Sequence, residues 1–226
     1  MSFTLATWNI NSVRLRAPIV CKLLEEEAPD VLCLQECKSP VELIPMEAFA
    51  ALGYTHMVAR GQKGYNGVAI LSKLPLEDVT RGLPGDETDE QARWIEATVV
   101  GKQAIRICGL YLPNGNPAPG PKYDYKLAWM ERLHARAQAL LADETPFLMA
   151  GDYNIIPQEE DAATPKSWEG DALYRPESHA KWRALLNHGL TEAFRARTQG
   201  AGHYSFWDYQ AGAWNRNNGI RIDHFL

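Results

Sequence analysis

Leu148-Met149-Ala150-Gly151-Asp152-Tyr153-Asn154 decides how the rest of the chain is read. Pro146 to Ala150 is an apolar run too short for a globular helix and bounded by Pro and Gly, so it predicts a buried strand. Asp152 and Asn154 leave its carboxyl end together. If that exit stays extended, alternation puts both side chains on one side, where one can handle a water's proton while the other orients the water or its target. The same residues also fit a strand that ends in an Asx turn. The choice depends on whether other strands bring matching groups to their ends.

They do. Phe3 to Trp8 alternates as a strand and exits through Asn9-Ile10-Asn11-Ser12, and Val31-Leu32-Cys33-Leu34 ends in Gln35-Glu36-Cys37-Lys38. Arg93 to Val99 turns at Gly101-Lys102 into an antiparallel partner, Gln103 to Leu112, which leaves through Tyr111-Leu112-Pro113-Asn114. Ile220 to Leu226 reads as a strand carrying Asp223, and Tyr204 to Tyr209 as another. Pro18 suits the first position of a helix running toward Glu27. Met46 to Leu52 predicts a short helix, and Tyr54 to Ala59 and Val68 to Leu71 predict strands flanking the glycine-rich loop Gly61 to Gly67. Pro121 to Ala142 is the longest helical pattern, with Leu127, Met130, Leu133, Ala137, Leu140 and Leu141 on one stripe and Lys122, Lys126, Glu131 and Arg132 off it. An acidic, irregular stretch follows Asn154, and then a helix from Glu177 to His188.

With 226 residues, 46% of them hydrophobic and 23% charged, the chain suits one globular domain, 1-226. The net charge of -5 argues against binding polyanions over the whole surface, while leaving room for a local cationic site. Cys21, Cys33, Cys37 and Cys108 are scattered through apolar stretches without zinc spacing, which predicts buried, reduced thiols. The start has no basic segment followed by an apolar one, and no run reaches the ~18 apolar residues of a membrane helix, so a cytoplasmic protein is expected.

Strands that end in scattered acids and amides, with no Ser-His or Cys-His partnership, suit a hard-cation site for phosphate ester hydrolysis. In order, Trp8-Asn9-Ile10-Asn11, Leu34-Gln35-Glu36, Gly64-Tyr65-Asn66-Gly67-Val68, Tyr111-Leu112-Pro113-Asn114, Gly151-Asp152-Tyr153-Asn154 and Arg221-Ile222-Asp223 closely resemble the endonuclease/exonuclease/phosphatase superfamily. Within it the resemblance is to the exonuclease III type of abasic-site (AP) endonuclease. Tyr204 to Tyr209 followed by Asn217 to Asp223 looks like the part that forms an apolar pocket for a base-less sugar.

The resemblance implies an α/β fold, a four-layer α/β sandwich of two mixed β-sheets packed face to face with helices on the outside. It implies a Mg²⁺-dependent DNA repair phosphodiesterase, with Mn²⁺ able to substitute, that cleaves 5′ to abasic sites and removes nucleotides from 3′ ends. Glu36 looks like the principal metal ligand, with Asn9 and Asn11 at the edge of its shell. Asp152 resembles the group that activates the attacking water, Asn154 the amide that positions it or the phosphate, and Asp223 a carboxylate that helps hold metal and site. Tyr111 and Asn114 resemble phosphate contacts, with Tyr111 facing the leaving oxygen. Tyr65, Asn66 and Arg93 are expected on the DNA, and Phe206, Trp207 and Ile222 at the sugar pocket. The implied partner is double-stranded DNA with abasic sites or 3′ ends, bound by a monomer away from any membrane.

The pattern departs at its end. A further strand closing in Ser-Asp-His, whose histidine contacts the scissile phosphate, is expected and does not occur before Leu226, so the domain is read as lacking its final strand. His224 is no substitute, because in a strand it points away from the face of Asp223. Two alternatives stay open on this ground: a catalytically weak DNA-binding relative, and a phosphatase acting on a small phosphate ester.

Overall fold

β1 (Leu5–Asn9) and β2 (Val31–Gln35) pair in parallel, a geometry that requires a crossover, and α1 (Val13–Glu26) supplies it. This is how the computed structural model, which describes residues 3–226, begins. The helix starts at Val13, and Pro18 lies inside it, not at its first position. The amides of Ser12 and Val13 donate to the carbonyls of Glu36 and Cys37 at 2.7 and 3.1 Å, which fixes the start ahead of the proline. Leu15 faces solvent there, so the apolar period that marks the rest of the helix is hidden in its first turn.

The described residues form two compact units, one of residues 3–111 with Asp143–Gly151 and one of Leu112–Ala142 with Asp152–Leu226. In the first unit, α2 (Met46–Ala50), β3 (His56–Arg60) and β4 (Val68–Ser72) complete a sheet of order β1-β2-β4-β3, with β4 antiparallel to both its neighbours. Every residue of β2 and β4 is buried, as expected of strands covered on both faces. Ile10, Val13, Val20, Leu24, Phe49 and Leu71 join the outer face of this sheet to α1 and α2.

A second sheet carries β5 (Leu76–Arg81), β6 (Trp94–Val99), β7 (Ile105–Tyr111) and β8 (Phe147–Asp152), in the order β8-β7-β6-β5. β6 and β7 pair across the predicted Gly101-Lys102 turn, with Val99 opposite Ile105. β7 and β8 run parallel: Arg106 N–H donates to the Pro146 carbonyl and Leu112 N–H to that of Asp152, a constant offset of 40 residues. The two sheets face each other, and Gly109 of β7 leaves room for Ile70 of β4 and Cys33 of β2. Two mixed sheets with helices are thus the fold the sequence predicts. β5 is an addition to that reading. It is a half-exposed edge strand whose register breaks between Glu77 and Thr80, around the left-handed Asp78 (φ 50°), so it shows no alternation.

The second unit holds α3 (Pro121–Ala142), α4 (Pro176–Asn187), and the short strands β9 (Phe206–Trp207), β10 (Gly219–Ile220) and β11 (Asp223–Phe225). α3 packs on α4, and its buried stripe is Tyr123, Lys126, Met130, Leu133, Ala137 and Leu140. Lys126 therefore lies on the stripe predicted to exclude it, and Leu141 lies off it, exposed. The two predicted C-terminal strands are shorter than read. β9 and β10 form a two-residue ladder, and the chain then leaves it because Arg221 N–H donates to the Asp161 carbonyl at 2.8 Å. Arg221 itself is buried in an ionic cluster with Asp161 and Glu192. No helix among the described residues is long and apolar enough to cross a membrane.

Candidate active site

In the first unit the sequence-predicted residues form one connected network. Glu36, at the exit of β2, accepts from Asn9 Nδ2 on Oε1 at 2.9 Å and from Lys38 Nζ on Oε2 at 2.7 Å, and the Tyr111 hydroxyl donates to the same carboxylate. Lys38 Nζ also donates to Asn11 Oδ1 at 2.7 Å, so an oxygen of Glu36 and one of Asn11 converge on a single cation. Burial pushes the Glu36 carboxyl up, but Lys38, Asn9 and Tyr111 outweigh it and hold the group below its ordinary value. Glu36 is therefore an anion at neutral pH.

Tyr111 is fixed from behind. The Arg93 guanidinium lies over its ring at 4.7 Å and donates to its carbonyl at 3.3 Å, while Arg93 Nε donates to Gln91 Oε1 at 2.7 Å. Asn66, buried, donates to Gln62 at 2.9 Å and to Gln91 at 3.3 Å. Arg93 and Asn66 are thus committed to shaping the loop, whereas Tyr65 is 56% exposed and free to face a ligand.

In the second unit the exit of β8 does not stay extended. Asp152 Oδ1 accepts from Asn154 N–H at 2.8 Å, an Asx turn, with Asn154 in the left-handed region at φ 47°. The intervening Tyr153 is buried edge-on against Trp182 and His224 and anchors the turn. The Asn154 amide is oriented at both ends: Oδ1 accepts from Asn114 Nδ2 at 3.2 Å, and Nδ2 donates to the Leu112 carbonyl at 2.8 Å. The turn reading therefore holds, and the turn is what aims the amide. Asp223 is half-buried, and its Oδ1 is buried without a hydrogen bond. Burial, and then the charge of Asp152, raise its carboxyl well above the ordinary range, the behaviour of two carboxylates that resist sharing two charges.

Phe206 and Trp207 lie on the segment that leads into β10. Phe206 is 37% exposed, and Trp207 packs against Trp214 with its Nε1 donating to Asn217 at 3.1 Å. Ile222 is buried in a cluster with Ile156, Ala162, Leu173 and Ile220. His224 is fully buried and points into the Arg221 cluster, with Arg221 NH1 3.0 Å from its Nδ1, away from the Asp223 side as the strand alternation requires.

Sequence reasoning passed over three features. Lys38 follows Glu36 by two positions, which was signal enough for an ion pair. Lys126 stands three after Tyr123 and four before Met130, so spacing alone puts it on the buried stripe. Trp214, large and exposed, packs against Trp207 and gives this segment an aromatic surface suited to stacking. Left-handed backbone gathers at these exits too: Asn11, Ser12, Glu36, Lys38, Asn66 and Asn154 are six of the eleven non-glycine residues with positive φ among those described. Such conformations cost ~1–3 kcal/mol each and persist where surrounding structure imposes them.

Amides, an ionised glutamate and a raised carboxyl at strand ends make an α/β protein equipped for phosphoester hydrolysis. The model of the endonuclease/exonuclease/phosphatase family matches residues 6–226, and the chain belongs to that family. It is 33% identical over 232 residues to the exodeoxyribonuclease III of Haemophilus influenzae, covering 97% of this chain and 85% of that one. Among solved structures, an AP endonuclease from Archaeoglobus fulgidus superposes with a TM-score of 0.91 at 34% identity, over 100% of this chain and 86% of the other. A 3′ phosphatase from Neisseria, NExo, bound to a product DNA hairpin, gives 0.93 at 35% identity, with 100% and 86% covered.

Proposed function

We propose that this protein is a Mg²⁺-dependent DNA repair phosphodiesterase that hydrolyses the backbone 5′ to abasic sites and removes nucleotides from 3′ ends. The observation that carries the reading is the convergence of Glu36 Oε2 and Asn11 Oδ1 on one cation, the Lys38 ammonium, with Asn9 alongside. No group of three or more His, Cys, Asp or Glu side chains assembles for a metal among the described residues. One carboxylate with amide oxygens instead matches Mg²⁺, which keeps most of its waters and binds through one or two carboxylates plus substrate phosphate. Held there, the ion would neutralise charge developing on the phosphate.

The chain's own residues do the rest. Asp152 takes the proton of the attacking water, Asn154 and Asn114 orient the water or a phosphate oxygen, and Tyr111 faces the oxygen that leaves. Asp223 is held well above the ordinary carboxylate range by its burial and by the charge of Asp152, so it accepts a proton more readily than an exposed carboxylate does. Tyr65 and Arg93 act on the DNA side, directly and through Tyr111, and Phe206 with Trp207 form the sugar pocket. Double-stranded DNA is the partner, and the protein works as a monomer, one domain over 1-226, in the cytoplasm.

A second reading, a 3′ phosphatase on DNA, is favoured by the likeness to the Neisseria 3′ phosphatase. Four substrates decide between them: an abasic duplex, a recessed 3′ end, a 3′-phosphate-terminated duplex and a soluble phosphate ester, each with Mg²⁺ and with EDTA. Mg²⁺-dependent cutting of the abasic duplex is expected. Turnover of the 3′-phosphate duplex alone selects the second reading, and turnover of the soluble ester alone overturns both.

A further inference from the structure

Lys126 has no place in the chemistry proposed above, yet it is fully buried. Burying an ammonium is costly unless its protons are taken up. Here two of its three are: Nζ donates to the main-chain carbonyl of Asn154 at 2.6 Å and to that of Asn114 at 3.1 Å. The loop after β7 wraps over the lysine stem. Gly115 has φ 92°, and a Cβ there would lie 2.7 Å from Lys126 Cδ and 3.3 Å from its Cβ. That loop therefore needs glycine both for its conformation and for the closeness of the lysine. Desolvation brings the ammonium down to about 7, against the pull of Asp152 and Asp171, as a deeply enclosed cation should behave.

We infer that Lys126 is a positioning residue, whose ammonium ties the Asn114 and Asn154 exits to one point on α3 and so sets the geometry of the Asn114–Asn154 amide pair. Asn154 is held in a left-handed conformation with its N–H on Asp152, and its carbonyl is fixed by Lys126. Without the ammonium the Asn154 carbonyl is buried unpaired and the Asn114 and Asn154 carbonyls lose their common partner, so the amide pair keeps its own hydrogen bonds but can shift as a unit relative to α3. The inference rests on the proposed part of Asn154 and Asp152 in the reaction for its kinetic consequence, and on geometry alone for its local one.

The test uses both. In Lys126→Met, a near-isosteric change without donors, amide hydrogen exchange at 114–116 and 152–155 should rise ~10-fold or more while β6 and β7 amides stay as in the parent. The kcat on an abasic duplex should fall ~10- to 100-fold with KM little changed, the effect of misplacing a group rather than losing substrate contacts. Exchange that is unchanged at both exits, or raised everywhere alike, overturns the inference. If the variant fails to fold, the parent protein decides: through-hydrogen-bond NMR coupling from the Lys126 side-chain nitrogen to the Asn154 and Asn114 carbonyl carbons is expected, and its absence from both overturns it. A parent that cuts no DNA would sink the proposed function while leaving the exchange and coupling results to judge Lys126.

Discussion

Lys38 Nζ stands 2.7 Å from Glu36 Oε2, so the carboxylate proposed to take a divalent ion is already neutralised by a cation of its own chain. The contact keeps Glu36 ionised, with Asn9 and Tyr111 adding to it against the cost of burial. Glu36→Gln preserves size and most hydrogen bonds but removes the charge a hard cation requires. Cleavage of an abasic duplex should fall ~10²-fold or more, while DNA binding in EDTA stays within about threefold. Cleavage across a Mg²⁺ titration and a gel-shift titration check this, and full activity at limiting Mg²⁺ removes Glu36 from the metal site.

Asp152→Asn is a clean probe, because an asparagine oxygen can still accept the Asn154 N–H and keep the turn. What it loses is the ability to take a proton. The kcat should fall ~10²-fold or more with little change in KM. A variant altered only in KM would assign Asp152 to substrate binding.

The groups at strand ends were legible because each follows an apolar run, and buried strands leave that pattern whatever they pack against. Glu36, Tyr111 and Asp152 stand at the ends of β2, β7 and β8 as that reading expects, whereas Asp223 opens β11. What escaped is set by distant partners. Lys126 falls on the buried stripe by spacing, but what lets a lysine stand there, the Asn114 and Asn154 carbonyls that converge on it, lies elsewhere in the chain. The Asp161–Arg195–Arg221–Glu192 cluster draws on three separate stretches, and no local period marks it. Asn154 illustrates a different limit: alternation predicts its face only while the chain is extended, and the Asx turn ends that.

Gly151 faces the neighbouring strand so closely that an added Cβ would lie 1.9 Å from the Leu110 carbonyl oxygen. Backbone cannot yield as a side-chain tip can. Gly151→Ala should cost ~3 kcal/mol or more, at the upper end of overpacking, and disturb Asp152 next to it. Urea denaturation with a midpoint near that of the parent would show that β7 and β8 can separate locally.

Phe206, at 37% exposure, has surface to offer a ligand. If it walls a sugar pocket, Phe206→Ala admits an intact nucleotide, and discrimination for an abasic site should drop ~10-fold while cleavage overall drops less. The ratio of kcat/KM on abasic and intact duplexes measures this. A variant that unfolds at much lower urea with its discrimination unchanged assigns Phe206 to packing.

Glu192 predicts how the fold responds to acid. Burial pushes its carboxyl up, but His224 beside it, the Arg195 amide 2.7 Å from Oε2 and Arg221 NH1 3.1 Å from Oε1 outweigh that and bring it to about 2. An unfolded glutamate titrates near 4.5. A carboxyl depressed in the fold gives its full contribution above the unfolded value and loses it as pH falls from about 4.5 through about 2. That contribution is on the order of 3 kcal/mol. His224 adds a slope at higher pH: burial holds its imidazole below the ordinary 6.5, so the unfolded chain takes up the proton first and stability already declines as pH drops below that value. Unfolding free energies from urea between pH 2 and 7 should therefore fall in two stages for the parent. Glu192→Gln should keep the upper stage and flatten the lower one, and parallel curves for the two proteins would show that Glu192 titrates alike in the folded and unfolded chain.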